Sequence, residues 1–525
     1  MEWEEVLRQF SADFLRKREE IEGFDAGEHS FYIHDPEMQY LSVLLTGYVT
    51  DFYYMKAGEV FQLAIPLHRA ILDRDPEYHI ESLKVAREFG AMKDQVLLGL
   101  LFWTKHPDRR KHKRTLIELL ATFPPNQIVR KFVNAKREKL VSFGGLGTFE
   151  KKLLMGVWQN WQEQGKLPYY FAKYRRYMQQ IINLAHIPIE PKEFGYLSTP
   201  TEYDGNCDYL KQISRFLRTR DLSNLPERAP FELVRANIPK EGWTPAVLQK
   251  CDITGNTIVL QACSLYQAFG SEILPYVEKA VRSPTVTADK ILKALIMSAI
   301  KDYRELTEEL AKVYAEKVKE TYKQLLLPLP EAPRICPVID ASVSMSPERL
   351  KGMFYRSISC IAPFAPLVKS LVLFSDTADY EQADLLGSWR GLLELREIAI
   401  RKYDSCTDIT AGLRLALEQA EAGEINTVII ATDEQANVTT RKSKEMDLIR
   451  KLCDLGIRVI VLNPTPYPVS MVDIRDRRVI YIPAPNSEAV ISALRLIQLR
   501  KELQKATARE VIQKLMTIKR KRATE

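Results

Sequence analysis

The stretch EAPRICPVIDASVSMSPERL (331–350) decides how this chain divides. ICPVID (335–340) is a short apolar run of strand length that ends on an acid, and an oxygen-bearing loop follows it at once. Runs of the same kind recur downstream as LVLFSD (371–376), TVIIATD (427–433), IRVIVLNP (457–464) and RVIYIPA (478–484). Amphipathic stretches lie between them, among them ITAGLRLALEQAEAG (409–423) and KSKEMDLIRKLCDLG (442–456). Alternation of strand and helix predicts a doubly wound α/β domain with parallel strands over residues 333–500.

Upstream of the Pro-rich segment LLLPLPEAPR (325–334) the text changes character. Apolar residues recur there at spacings of three and four, as in EVFQLAIPLHRAIL (59–72) and KILKALIMSAIKDY (290–303), which predicts helix after helix. Breakers carrying Pro or Gly interrupt them, such as ATFPPNQ (121–127) and HIPIEPKEFGY (186–196). Residues 1–332 therefore read as stacked helix pairs, a solenoid of degenerate repeats without a fixed period. Residues 501–525 read as a helix or tail with a basic tip, KRKR (519–522), which is either solvated or a nucleic-acid contact.

Composition narrows the function classes. The chain has 525 residues, 46% hydrophobic and 27% charged, so it can bury cores and is not a disordered protein. Lys and Arg number 75 against 68 Asp and Glu, a net charge of +7 that permits an anionic partner. Seven cysteines are scattered, with no C-x-x-C pair, which predicts a reducing, cytoplasmic setting without a disulfide framework or zinc site. The charged N-terminus and the absence of a long apolar run predict neither a signal peptide nor a spanning helix.

Asp340, Ser342 and Ser344 follow the first strand, where open α/β sheets place their ligand sites. Two more oxygen donors stand at comparable places: Thr407, at the mouth of a helix, and Asp433, at the end of another strand. Such a set suits a hard divalent cation, Mg²⁺. The plain alternative makes the hydroxyls helix N-caps, but Ser346-Pro347-Glu348 reads as the better N-cap, with Pro at the first helical turn. A second alternative makes Asp340 a phosphatase nucleophile, although Ser342 stands where that chemistry usually has another acid. The D-x-S-x-S pattern with the later Thr and Asp resembles the metal-ion-dependent adhesion site of von Willebrand factor A domains. That resemblance implies that Asp340, Ser342, Ser344 and Thr407 coordinate Mg²⁺ directly or through water, that Asp433 does so through water, and that a partner's carboxylate completes the shell.

Basic residues of the helical part are clustered. Lys105, Arg109, Arg110, Lys111, Lys113 and Arg114 lie within 104–114, Lys136 and Arg137 within 130–139, and Lys173, Arg175 and Arg176 stand among Tyr174 and Tyr177. Cations interleaved with aromatics suit phosphate neutralisation and base stacking, whereas any one cluster alone reads as a solvated helix face. GGLGTF (144–149) matches neither a dinucleotide fingerprint nor a phosphate loop, the histidines lack metal spacing, and no catalytic constellation stands out.

A helical-repeat half followed by this type of metal-site domain resembles the Ro ribonucleoprotein (TROVE) family. SFYIHDPE (30–37), residues 143–191 with their basic pair Lys151-Lys152 before Trp158, and residues 214–250 carry the local likeness. The resemblance implies a HEAT-like helical toroid closed by the α/β domain, monomeric, binding small noncoding Y-like RNA on a basic surface and single-stranded ends of misfolded RNA in its hole. It places Lys151, Lys152, Lys173, Arg175 and Arg176 near RNA, beside the clusters that include Arg109, Arg110, Lys111, Lys113, Arg114, Lys136 and Arg137. The expected function is therefore non-catalytic RNA quality control, or presentation of RNA to an exoribonuclease. The competing expectation is a metal-dependent protein-interaction scaffold that binds no RNA.

Overall fold

The computed structural model describes residues 65–134, 146–326, 332–402, 407–433, 442–464 and 479–483, apart from breaks at 91–92, 284–285 and 350–351, together with scattered residues within 37–45, 490–494 and 509–517. It forms two compact units: residues 97–286 with 294–313, and residues 1–96 with 287–293 and 314–525.

The first of these is helical. Helix α1 (Thr148–Glu163) buries Leu153, Leu154, Val157, Trp158 and Trp161, an apolar stripe at helical spacing. It packs on the helix Lys113–Ala121, where the Trp161 indole N–H donates to the Ala121 carbonyl at 3.1 Å. Gly156 makes that packing possible, because a Cβ there would stand 2.4 Å from Cδ1 of Ile117. Helix α2 (Leu167–Ala185) starts with Pro168 in its first turn and stops at His186 in the left-handed conformation, just before Pro188. Its backbone leaves helical geometry at Tyr174 (φ −121°, ψ 31°), a kink in mid-helix. Beside α2, Ala229–Pro230 and Cys251–Asp252 form a two-residue parallel pair.

The other unit holds the sheet. Its strands are β1 (Ile335–Asp340), β2 (Leu371–Phe374), β3 (Ala378–Glu381), β4 (Thr427–Ala431), β5 (Arg458–Asn463) and β6 (Val479–Pro483), in the order β3-β2-β1-β4-β5-β6. Every pairing is parallel except β2 with β3. The sheet is thus mixed, where the sequence predicts parallel strands alone. The ADYE segment of β3 is not legible as a strand because it is a short, largely exposed edge in which only Ala378 packs against the core. The four predicted apolar runs beside β1 all form strands, and β1, β2, β4 and β5 are buried along their whole length. Helix α3 (Ile409–Glu421) and the helix Lys442–Asp454 cover one sheet face. There Leu413, Ala416, Ile449 and Leu452 pack with Val338, Val372, Val428, Ile430 and Val459.

Candidate functional site

Strand order reverses direction between β1 and β4, so the connections leaving their carboxyl ends diverge, the place where such sheets open a crevice for ligands. Asp340 ends β1 and Asp433 lies two residues beyond β4, both fully buried. The Asp340 carboxylate accepts from the Ser342 backbone N–H at 2.9 Å and from the Thr432 hydroxyl at 2.7 Å. Ser342 and Ser344 stand with their hydroxyls 2.9 Å apart. Burial, and after it the neighbouring Asp433 charge, push the Asp340 carboxyl up to about 7, although the Ser342 and Thr432 hydrogen bonds pull it down. Thr432 escaped the sequence reading; its only signal was its place next to Asp433 at the strand end.

Thr407 is buried on the segment that enters α3. Asp408 caps that helix by accepting from the Thr410 N–H at 3.0 Å, and its own N–H donates to the Ser375 carbonyl at 2.6 Å, which ties the segment to the end of β2. Gly412 lets α3 come this close, since a Cβ there would meet Cγ1 of Val338 at 2.9 Å and the Phe374 ring at 3.0 Å.

The expected N-cap at Ser346 does not form. Ser346 adopts the left-handed conformation after a 3₁₀ turn at Val343–Met345, and the helix begins only at Met353, behind Gly352. The Arg396 guanidinium takes the carbonyls of Pro347 and Glu348, at 2.9 and 2.7 Å, so the chain there is tied to the helix Trp389–Lys402. Ser342 precedes the 3₁₀ turn without a side-chain capping bond, its hydroxyl turned to Ser344.

A cation fits these donors. Burial and then the Asp433 charge drive Asp340 toward proton uptake, and with the Thr432 hydroxyl on it and Ser342 beside it this is a hard-oxygen set of the kind a divalent ion would relieve. Among the described residues no three His, Cys, Asp or Glu side chains form a metal group, so the hydroxyls would be needed to complete any shell.

In the helical unit the structure joins basic clusters that are distant in sequence. The Arg109 guanidinium lies over the Phe149 ring at 5.6 Å and donates to the His106 carbonyl at 2.9 Å. That contact brings the turn Pro107–Arg110 to the first turn of α1, which carries Lys151 and Lys152. Arg110, Lys111, Lys113, Arg114 and Lys152 are exposed, and Arg109 and Lys151 are half-buried. Arg114 also pairs with Glu118 at 2.9 Å. His106 and His112 flank the buried Trp103 at ring distances of 5.1 and 4.8 Å, which braces the turn from below. On α2 the exposed Arg176 precedes Tyr177, whose hydroxyl accepts from Arg130 at 2.8 Å, and Arg175 is half-buried. Lys173 is nearly enclosed, its side chain 11% exposed and paired with Glu232 at 3.0 Å. Lys136, Arg137 and the KRKR tip lie outside the described residues.

Fold and site define a class: a helical protein with a basic face, joined to a doubly wound α/β domain whose switch point carries a hydroxyl-rich acidic loop. Among the solved structures it matches is the RO (RSR) protein of Deinococcus radiodurans, at a TM-score of 0.58 over 88% of this chain and 99% of that one, with 14% identity. The Ro resemblance of the sequence is thereby borne out at the level of the fold. No protein-family model and no curated protein matches the chain. Among the described residues no helix is long and apolar enough to cross a membrane.

Proposed function

We propose that this chain is a Ro-like RNA-binding protein. The observation that carries the reading is the Arg109–Phe149 contact, which unites the 104–114 cluster with Lys151 and Lys152 on one helical surface. Cations gathered in this way release the counterions of a phosphate backbone together, which no single cluster would do as well. The likeness to a Ro protein along nearly its whole length adds support. The chain binds noncoding RNA, Y-like RNA and the single-stranded ends of misfolded RNA among them, and acts without catalysis in RNA quality control, as a cytoplasmic monomer that presents RNA to an exoribonuclease. Its α/β domain is of the von Willebrand factor A type. Asp340, Ser342, Ser344, Thr407 and Asp433 would hold Mg²⁺ there, and the ion would supply a coordination position for a partner's carboxylate.

The test compares three forms of one structured RNA at fixed salt: with a single-stranded 3′ tail, blunt-ended, and circularised with the tail sequence inside the circle. The tailed form is expected to bind most tightly, because a free single strand reaches basic and aromatic groups that a duplex cannot. Equal affinity for all three would reduce the interaction to adsorption on a basic surface. No binding of any form would leave the second reading, a metal-dependent protein scaffold, which the buried Asp340–Asp433 pair favours on its own account.

A further inference from the structure

Lys173 stands in the most RNA-like text of the chain, FAKYRRYMQQ (171–180), yet its surroundings are those of an internal strut. Its ammonium reaches Glu232 Oε1 at 3.0 Å and the Tyr169 hydroxyl at 3.1 Å, and it lies 5.5 and 5.7 Å from the centres of the Tyr169 and Tyr174 rings. The Asp252 and Glu232 carboxylates lie near enough to the Tyr169 hydroxyl that, after burial, their charges help hold it protonated. Glu232 opens the short helix after the Ala229–Pro230 strand, and Asp252 belongs to the strand paired with it. The chain Tyr169–Lys173–Glu232 therefore ties one side of α2 to the helix Phe231–Asn237 that follows Ala229–Pro230, at the turn where α2 kinks. Lys173 and Glu232 cancel as a pair, with the Asp252 carboxylate near Tyr169, so this group offers a phosphate no net positive charge. A phosphate contact by Lys173 would also have to displace Glu232 and pull the ammonium off two rings.

We propose that Lys173 is a positioning residue of the RNA-binding surface and not one of its phosphate ligands: it holds the Tyr169 and Tyr174 rings and the kink at Tyr174, and thereby sets how Arg175 and Arg176 are presented. This deepens the RNA-binding reading and rests on it. The phosphate contacts of this segment then come from the arginines after the kink, of which Arg176 is exposed.

The experiment measures binding of a single-stranded oligo(U) RNA across a salt series, and the near-ultraviolet circular dichroism of the free protein, for the parent and for K173M, K173R, E232Q and R176M. Lys173→Met is expected to weaken binding several-fold at an unchanged salt slope, whereas Arg176→Met lowers the slope by about 0.7, the loss of one single-strand phosphate contact. Lys173→Met and Glu232→Gln should alter the tyrosine signal alike, and Lys173→Arg should restore both signal and affinity. A slope that falls by about 0.7 in Lys173→Met overturns the proposal. So does tighter binding in Glu232→Gln, the result expected if that carboxylate merely competed with phosphate for the lysine. If the parent does not bind oligo(U), the RNA reading itself fails. The spectra then decide the strut by themselves, since an unchanged tyrosine signal in both variants removes it. If Lys173→Met does not fold, Glu232→Gln and Lys173→Arg carry the same comparison.

Discussion

Asp340 sits where two requirements conflict: it closes the central strand of a buried sheet, and it faces a second carboxylate. Leaving both acids ionised without a cation costs folding energy, which is why the carboxyl is driven up to about 7. Binding an ion to the folded state alone stabilises that state by mass action. Mg²⁺ should therefore raise the melting temperature of the parent in a fluorimetric melt, and Asp340→Ala should abolish the rise; a shift that persists would mean other ligands. His68 presents the opposite case. Tyr40 donates to its Nδ1 at 2.7 Å, Nε2 donates to Gln95 at 3.0 Å, and His79 stands 3.3 Å from Nδ1, so the ring is held neutral within a buried polar network. Burial lowers it to about 4, while the Gln95 hydrogen bond raises it slightly. Its folded value lies below its unfolded one of about 6.5, so the unfolded chain takes up the proton first. The stability this site contributes is complete above about 6.5 and is lost as pH falls toward 4, with an upper bound on the order of 3 kcal/mol. Chemical denaturation between pH 7 and pH 4 should show that slope, and His68→Leu should remove its share.

At the scale of elements, α3 places Thr407 and Asp408 only because Gly412 lets it lie against β1 and β2. Gly412→Ala puts a methyl 2.9 Å from Val338 and 3.0 Å from the Phe374 ring, atoms of a fully buried core that cannot retreat. Overpacking of this kind costs about 1–3 kcal/mol, so a drop in the denaturation midpoint is expected, together with a smaller Mg²⁺ shift because the helix mouth moves. A variant with normal stability and a normal shift would show that α3 does not set the loop. How far such elements were legible depends on what their residues face. Apolar runs such as ICPVID and TVIIA announced buried strands, and the acids at their ends announced the crevice, because strand ends and ligand sites coincide by topology. Strand β3 was silent because its residues are polar at an edge. The Ser346 N-cap misled because Arg396, about 50 residues away in the chain, claims the carbonyls that a helix would have used. Lys173 shows the same limit: FAKYRRY reads as a basic aromatic stripe, and nothing in the local text marks Glu232, the carboxylate that the fold brings to its ammonium.

At the scale of the whole molecule the two kinds of site fall in different compact units. Every described cation proposed for RNA, from Arg109 to Arg176, belongs to the helical unit, and all five oxygen donors proposed for Mg²⁺ belong to the unit that holds the sheet. Affinity for RNA and its salt dependence should then be governed by the first alone. Reversing Arg109, Arg110 and Lys111 to Glu removes up to three phosphate contacts. The slope of log affinity against log salt should therefore fall by roughly 0.7 to 0.9 for each contact that exists in the parent. The same triple variant should keep the full Mg²⁺ melting shift, and Asp340→Ala should keep the parental salt slope. Linkage makes the comparison strict, because a coupling between two binding sites must appear equally from either side. Fluorescence titrations of RNA with and without Mg²⁺, paired with melts in Mg²⁺ with and without RNA, close that cycle. Matching non-zero couplings would make the metal loop a regulator of RNA binding, whereas two null results leave it free to serve a separate partner while RNA is held.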